Sequence, residues 1–277
     1  MANLNLFSHQ SFLSRIHKLN QKEINEQNHC VIYYMQTSVR TEYNHALEYA
    51  IAKANALKKP LIVVYCLVED FPEANERSFA FLLQGLQDVK KHLANREIPF
   101  YVYKNNIQKM MDLFSYACVI ITDKGYLKVE RQWKNYLAEQ ANVLVLELES
   151  NVIVPVTLAA QKEAYAAYSL RPKLSKLVKD YLIEVKQEKY LPWANNTEFL
   201  NKFQTFELDV SNWQEALKKC NIDRSVKMVS SVQGGEEKAQ LVLQEFIQKK
   251  LQSYEHRSNP SYDVSSSLSP YLHFGHI

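Results

Sequence analysis

The sequence predicts an α/β fold with an open, doubly wound parallel sheet, followed by a linker and the beginning of an all-α domain. Three observations support this prediction. Between about Cys30 and Pro155, short apolar runs alternate with longer periodic stretches. The apolar runs are nearly continuous and rich in Val, Ile and Tyr, as in strands buried on both faces. The periodic stretches have the apolar spacing of amphipathic helices. Such alternation builds βαβ units with right-handed crossovers.

Each element of this region follows from its own pattern. The predicted strands are Val31–Met35, Leu61–Val68, Pro99–Tyr103, Val119–Thr122 and Val143–Leu148. The predicted helices between them are Tyr43–Lys58, Glu73–Asn95, Asn105–Ser115 and Leu127–Ala141. We therefore expect residues 29–157 to form one α/β domain with a five-stranded, mainly parallel sheet and helices on both faces. Residues 1–28 are expected to be a polar N-terminal extension.

The remainder of the chain has a different character. Residues 158–234 are more polar and less periodic, with Pro172, Pro192 and the Asn195–Asn196 pair, so we expect a connecting segment draped over a domain, with a helix at Leu174–Val185. After the Gly234–Gly235 break, residues 235–277 are expected to begin a helical domain with an amphipathic helix at Glu236–Tyr254. The apolar residues that follow it have no evident partner, which predicts a truncated domain that is loosely docked; they are Leu268, Tyr271, Leu272 and Phe274.

Composition narrows the classes of function. The formal net charge of the 277 residues is only +3, which permits a local nucleic-acid surface without indicating one. No apolar run reaches 18 residues and no signal peptide is recognisable, so we expect a cytoplasmic protein with no membrane partner. The four cysteines form no CxxC pair, which argues against structural zinc and a disulfide framework. Only five glycines occur, with no GxGxxG and no P-loop, which argues against nicotinamide binding and nucleotide hydrolysis.

Four local patterns have alternative interpretations. Gly125 follows the fourth predicted strand and allows either a close ligand approach or, as favoured by spacing, an ordinary turn. The basic residues from Arg171 to Lys179 are more typical of a solvated helix face than of a phosphate-binding stripe. The pair His273 and His276 has HxxH spacing without further ligands, so no metal site is predicted. The serines at 265–269 fit an anion site or a plain helix cap equally well, with Pro270 suited to a first helical turn.

Several longer strings resemble class II DNA photolyases, in the same order and over nearly the whole chain from about Cys30. The most specific are 162–167 (KEAYAA), 170–173 (LRPK) and 268–275 (LSPYLHFG). Others are 34–36 (YMQ), 40–50 (RTEYNHALEYA), 60–64 (PLIVV), 81–86 (FLLQGL), 123–127 (DKGYL), 131–133 (RQW) and 152–156 (VIVPV). The resemblance identifies the fold as a photolyase antenna domain followed by the start of an all-α FAD-binding domain.

The resemblance implies a function and a set of site residues. Members of this family split cyclobutane pyrimidine dimers in DNA with light, using reduced FAD and, in many cases, an antenna chromophore of deazaflavin or folate type. Carried over by position, the implied first FAD contacts are Tyr254, Ser265, Ser266, Ser267, Leu268 and Ser269. The implied antenna contacts are Met35, Gln36, Asp123, Lys124, Gly125 and Tyr126. The implied partner is damaged DNA, the expected state is a monomer, and the catalytic residues are expected beyond Ile277.

The chain also departs from the family pattern. It has Tyr34 where Trp is usual, Tyr168 where Arg is usual and Ser267 where Asn is common. Two other functions stay open at this point. One is a non-catalytic, antenna-like module that binds a chromophore, and the other is a light sensor similar to cryptochromes.

Overall fold

The structure, a computed structural model, describes residues 9–104, 107–160, 162–193, 197–205 and 207–277. Within them six strands form one sheet: β1 (Ile16–Lys18), β2 (Cys30–Met35), β3 (Leu61–Cys66), β4 (Phe100–Tyr103), β5 (Ala117–Asp123) and β6 (Val145–Leu148). Their order is β1-β6-β5-β2-β3-β4. The five strands from β2 to β6 pair in parallel, which confirms the predicted α/β fold of residues 29–157.

The sixth strand is a correction to the expected five-stranded sheet. Strand β1 pairs antiparallel with β6, with Ile16 opposite Leu148, and it comes from the segment predicted to be a polar extension. Three residues are too few to show an alternating pattern, and an edge strand does not need the apolar run that identifies a central one. The buried Arg15 guanidinium fastens this segment by donating to the carbonyl oxygens of Glu149, Val152 and Ile153.

Helices cover both faces of the sheet. They are α1 (Gln10–Leu13), α2 (His45–Leu57), α3 (Glu76–Asn95), α4 (Ile107–Phe114) and α5 (Lys128–Gln140). Along β2, Val31, Tyr33 and Met35 belong to one buried cluster, whereas Ile32 and Tyr34 belong to the other. This period of two explains why the strand is apolar throughout: its alternate side chains enter two different cores. The predicted helix start at Asn105 lies outside the described residues.

The connecting segment contains helices α6 (Val156–Ala159), α7 (Ala167–Tyr181), α8 (Thr197–Gln204) and α9 (Trp213–Lys218). Helix α7 begins seven residues before the predicted start at Leu174 and includes Pro172. A proline inside a helix removes one hydrogen bond and costs ~3 kcal/mol. The apolar side of α7 offsets this cost by packing against Val154 and Ala159. The Asn195–Asn196 pair lies outside the described residues.

The C-terminal segment packs against the α/β domain. Helix α10 (Glu236–Glu245) continues as a π-helix (Phe246–Lys250) and a 3-10 helix (Leu251–Ser258), so the regular helix is shorter than predicted; helix α11 (Ser269–Phe274) follows. Tyr271 of α11 is 3% exposed, lies 5.3 Å from Phe81 of α3 (ring centroids), and donates a hydrogen bond to the Gln233 carbonyl. The expectation of unpartnered apolar residues is therefore wrong for Tyr271, because α3 provides the partner; Leu272 remains 62% exposed.

None of the helices in the described ranges combines the length and hydropathy needed to cross a lipid bilayer.

Candidate functional site

The carboxyl ends of β2 and β5 meet at the point where the strand order reverses, the usual ligand position in open α/β sheets. Here Asp123, at the end of β5, is fully buried. Its carboxylate accepts hydrogen bonds from the backbone N–H groups of Gln36, Thr37 and Ser38, at 3.0–3.1 Å, and from the Tyr33 hydroxyl at 3.2 Å. The amides that would bind an anionic ligand at this crevice are therefore already bound to a protein carboxylate. Asp123 has a structural role, and the loop after β2 is held in place.

A cavity of about 450 Å³ lies beside this loop, between the strand ends, α3 and α5. Its wall is dominated by aromatic and aliphatic side chains. They are Val39, Tyr65, Leu67, Val68, Phe71, Phe79, Leu82, Tyr126, Leu127, Trp133, Leu272 and Phe274. The volume falls in the range of small-molecule sites, and flat aromatic walls suit a planar heterocycle. The last turn of α11 closes one side, so the C-terminal segment contributes to this site.

The polar side chains at the cavity include those of Gln36, Thr37, Ser78, Glu130, Asn151 and His273, and among the described residues no lysine or arginine lines it. The Gln36 side chain donates from Nε2 to the Tyr34 hydroxyl at 2.7 Å, while its buried Oε1 has no hydrogen-bond partner among the described residues. Glu130 provides a carboxylate, which accepts from the Leu127 N–H at 3.0 Å. The unpaired acceptor of Gln36, the carboxylate of Glu130 and a described lining without lysine or arginine favour a ligand edge that donates N–H groups over one that carries a phosphate.

Next to the cavity, Lys124 and Tyr126 are held by one buried carboxylate. The Lys124 ammonium lies 2.8 Å from Glu149 Oε1, and the Tyr126 hydroxyl donates to Oε2 at 3.0 Å. Burial alone would raise the pKa of Glu149, but the hydrogen bonds from Lys124, the Val156 N–H and Tyr126 outweigh it and lower that pKa. Burial, and then the Glu149 charge, raise the pKa of Tyr126. Tyr126 is thus a neutral phenol with a fixed ring orientation.

The six predicted antenna contacts are adjacent in space but differ in surroundings. Gln36 and Tyr126 line the cavity. Met35 is fully buried in the sheet core, Asp123 binds the loop amides, and Lys124 pairs with Glu149. The sixth residue, Gly125, lies in the turn between β5 and α5.

Gly125 has a close-contact role. A Cβ atom there would lie 2.5 Å from Glu130 Oε2 and 2.7 Å from Glu130 Cβ, so the glycine allows Glu130 to fold back over the turn. Sequence reasoning missed Phe71 as a wall residue, and it missed the contributions of α11. Trp133 lay within one of the strings that carry the resemblance, but only the fold shows that it faces the cavity.

The predicted flavin contacts precede α11 in the chain, apart from Ser269, which is its first residue. Ser265, Ser267 and Ser269 are exposed, and Tyr254 is 37% exposed with the Arg257 guanidinium 4.8 Å from its ring centroid. Ser267 has φ +56°, and the nearby backbone turns are held by side-chain oxygens: Ser265 Oγ accepts from the Ser267 N–H and Ser266 Oγ from the Leu268 N–H. Helix α11 begins without a side-chain cap. The string is an open surface whose hydroxyls can still donate hydrogen bonds, which suits contact with one side of a large ligand.

His273 and His276 lie in different environments. His273 lies at the cavity, whereas His276 is fully buried and stacks on Phe81 with ring centroids 5.0 Å apart. The Nδ1 atom of His276 accepts from the Gly235 N–H at 3.0 Å, and its Nε2 presses against Gly85, where a Cβ would overlap it. Burial lowers the pKa of His276 to about 3, so the ring is neutral. Across the described ranges no group of three His, Cys, Asp or Glu side chains is placed to hold a metal.

Comparison with known proteins gives one family. The family model described as DNA photolyase matches residues 31–192, more than half of the chain. The deoxyribodipyrimidine photo-lyase of Methanothermobacter thermautotrophicus is 35% identical over 266 residues, which cover 95% of this chain and 57% of that protein. That of Potorous tridactylus is 28% identical over 260 residues, 92% of this chain and 47% of that protein. The chain spans about half the length of the curated relatives it matches.

Solved structures agree on the fold. An archaeal photolyase from Sulfolobus tokodaii superposes with a TM-score of 0.64 at 16% identity, over 89% of this chain and 52% of that one. A class III photolyase from Agrobacterium tumefaciens gives 0.63 at 18% identity, over 90% and 51%. Together with the matched family model and the archaeal relative, the α/β sheet and its strand-end cavity lead to one assignment: the chain belongs to the DNA photolyase family.

Proposed function

We propose that this chain provides the light-harvesting domain and the first flavin contacts of a class II photolyase. In this proposal a complete protein uses reduced FAD and light to split cyclobutane pyrimidine dimers in DNA, as a cytoplasmic monomer. The observation that carries it is the aromatic cavity of about 450 Å³ at the strand ends. The family match and the names of the relatives supply the repair activity and the DNA substrate.

The cavity is proposed to hold an antenna chromophore of deazaflavin or folate type. Its walls include the rings of Tyr65, Tyr126 and Trp133, which can pack against a planar heterocycle. The unpaired Gln36 Oε1 and the Glu130 carboxylate can accept hydrogen bonds from ring N–H groups. The Sulfolobus tokodaii structure is described as holding two FAD molecules, with the implication of a novel light-harvesting cofactor, so a second flavin is a further candidate ligand here.

FAD itself is proposed to contact Tyr254 and residues 265–269. The serine hydroxyls and the backbone N–H groups of this string can donate to ribityl and phosphate oxygens. The residues fit one side of such a ligand, because Ser265, Ser267 and Ser269 are exposed. When bound, the flavin supplies the electron for dimer splitting; the residues of this chain bind and orient it.

A second candidate function follows from the difference between the cavity at the strand ends and the open string of serines at 265–269. The strand-end cavity is formed within the described residues, whereas the serine string is open. A module that binds a chromophore without repairing DNA is therefore the alternative, and a repair assay separates the two.

The cavity is tested by titrating the purified chain with riboflavin, a deazariboflavin or methenyltetrahydrofolate and following fluorescence anisotropy. We expect one of them to bind with 1:1 stoichiometry. Trp133→Ala should weaken that binding by about 5- to 150-fold, the range for loss of one stacked aromatic partner. Trp213→Ala is the matched control, because Trp213 lies in α9 and does not line the cavity.

Two further measurements complete this experiment. The chain should retain one ligand, in the cavity, and no further FAD at residues 265–269, read from the absorbance after gel filtration, and it should not repair dimers under blue light. Equal losses for the Trp133 and Trp213 variants, or no binding of any of the three ligands, would contradict the cavity assignment. Stoichiometric FAD with light-dependent repair would contradict the open-site interpretation of residues 265–269.

A further inference from the structure

Helix α7 carries an exposed basic face that the proposed function does not use. Its 15 residues include four cations and one acid, a net charge of +3, and the formal net charge of all 277 residues is also +3. The cations are Arg171, Lys173, Lys176 and Lys179, and all four are exposed. The net charge of this one helix therefore equals the net charge of the whole chain.

Two tyrosines extend this surface. Tyr165 is 100% exposed and Tyr168 is 78% exposed, the two largest values among the exposed large hydrophobic residues described. Tyr168, Arg171, Lys176 and Lys179 fall on one side of the helix at 100° per residue. We call the four cations with Tyr165 and Tyr168 the basic α7 surface.

These side chains are free of internal ion pairs within the described part of the chain. Other cations here have acidic partners: Lys90 lies 2.8 Å from Glu207, and Lys218 lies 2.7 Å from Glu215. No described carboxylate lies within ion-pair distance of the α7 cations. Cations without ion pairs do not stabilise the fold through such pairs, and they are available to an external polyanion.

The opposite side of α7 distinguishes between a membrane surface and a nucleic acid as the polyanion. Leu170, Leu174, Leu177 and Val178 pack against a cluster that contains Val154 and Ala159. A helix that binds a bilayer must insert its apolar face, but the apolar face of α7 is already packed against this cluster. Exposed cations with exposed aromatic rings are instead the combination that binds single-stranded nucleic acid, where the bases are free to stack.

We propose that the basic α7 surface binds single-stranded DNA, with Arg171, Lys176 and Lys179 on the phosphates and Tyr165 and Tyr168 against bases. From residue 168 to residue 179 the helix spans about 16 Å, which is about five nucleotides at the ~3.4 Å rise of a stacked strand. The choice of DNA rests on the proposed function, and the surface would hold a strand outside the chromophore cavity. Sequence spacing alone favoured a solvated face; full exposure of both tyrosines and the missing ion pairs change that interpretation.

The test uses the whole chain in the dark with a fluorescein-labelled, undamaged oligo(dT) and its duplex. The charge variant is Arg171→Gln, Lys176→Gln, Lys179→Gln. The matched control is Lys22→Gln, Lys58→Gln, Lys219→Gln, which removes the same charge from dispersed exposed sites. Removing three phosphate contacts should reduce the slope of log K against log salt by about 2, which is about 100-fold weaker binding at 0.1 M salt. The control should change binding by less than about threefold.

Stacking is tested separately. Tyr165→Ala with Tyr168→Ala should weaken oligo(dT) binding by at least about fivefold and leave the duplex affinity nearly unchanged, since paired bases are not available. Equal effects of the two charge variants, or unchanged binding in both, would overturn the proposal. Binding of the wild-type chain to phosphatidylserine vesicles but not to oligo(dT) would also overturn it and identify a membrane surface. Because light and chromophore are absent, none of these results bears on the cavity assignment.

Discussion

Glu236 holds the C-terminal segment to the α/β domain, and its removal gives the sharpest test of that docking. This residue, the first of α10, is 2% exposed. Its carboxylate accepts from the Thr41 N–H and hydroxyl, both at 2.9 Å, from the Glu42 N–H at 2.7 Å, and from His92 at 3.2 Å. The hydrogen bond that His92 donates to Glu236 is the largest cause that raises the pKa of His92, which reaches about 9, so the ring is charged at neutral pH.

Glu236→Ala should therefore loosen α10. Removing this carboxylate leaves the Thr41 and Glu42 N–H groups without an acceptor, which costs ~1–3 kcal/mol for each. If the loss is local, the amides of α10 should exchange hydrogen at least about 100-fold faster, whereas those of β2 and β5 should not. The His92 pKa should fall from about 9 toward its ordinary value of about 6.5, measured by NMR titration.

Glu237→Ala is the control for this experiment. Glu237 neighbours Glu236 and lies 2.7 Å from Lys91 and 3.2 Å from His92, but its side chain is 51% exposed. Exposed ion pairs contribute only ~0–1 kcal/mol, so this variant should leave exchange in α10 nearly unchanged. Because the folded state raises the pKa of His92, the charged ring stabilises the fold fully below about pH 6.5, and this stabilisation is lost as the pH rises through about 9. Unchanged α10 exchange in Glu236→Ala, or equal changes in both variants, would refute the docking role.

Two further predictions concern the same region and the cavity. His276 has its pKa lowered to about 3 by burial, so its contribution to stability is present above about pH 6.5 and is lost as pH falls toward 3. The loss should reach about 2 kcal/mol by pH 5, measured by urea unfolding at pH 7 and 5; His276→Gln should lack this part of the pH dependence, and an identical dependence would contradict it. Gly125→Val would displace Glu130 from the cavity wall and should weaken the antenna ligand on the order of tenfold, whereas an unchanged affinity in a folded variant would count against this placement.

The alternation of β2 to β6 with helices could be predicted because a strand buried on both faces must be apolar along its whole length. The same argument fails for elements stabilised by partners distant in the sequence. Strand β1 is three residues long and is held by Arg15 and by its pairing with β6. Helix α7 continues through Pro172 because of packing on Val154 and Ala159, which no local pattern of residues 167–181 reveals.

The candidate site also combines features that the sequence predicts with features that depend on distant partners. Patterning was enough to predict the fold class, and the resemblance was enough to predict the family; a ligand at the strand ends, near Gln36 and Tyr126, stays a prediction. Three features could be recognised only once the chain was folded: the Asp123 carboxylate binds the loop amides, Trp133 faces the cavity, and the end of α11 closes it. It also showed that the C-terminal segment finds its partners on α3. The physical reason is that composition and periodicity report which side chains are buried, whereas the contact each one makes depends on the packing of elements far apart in the chain.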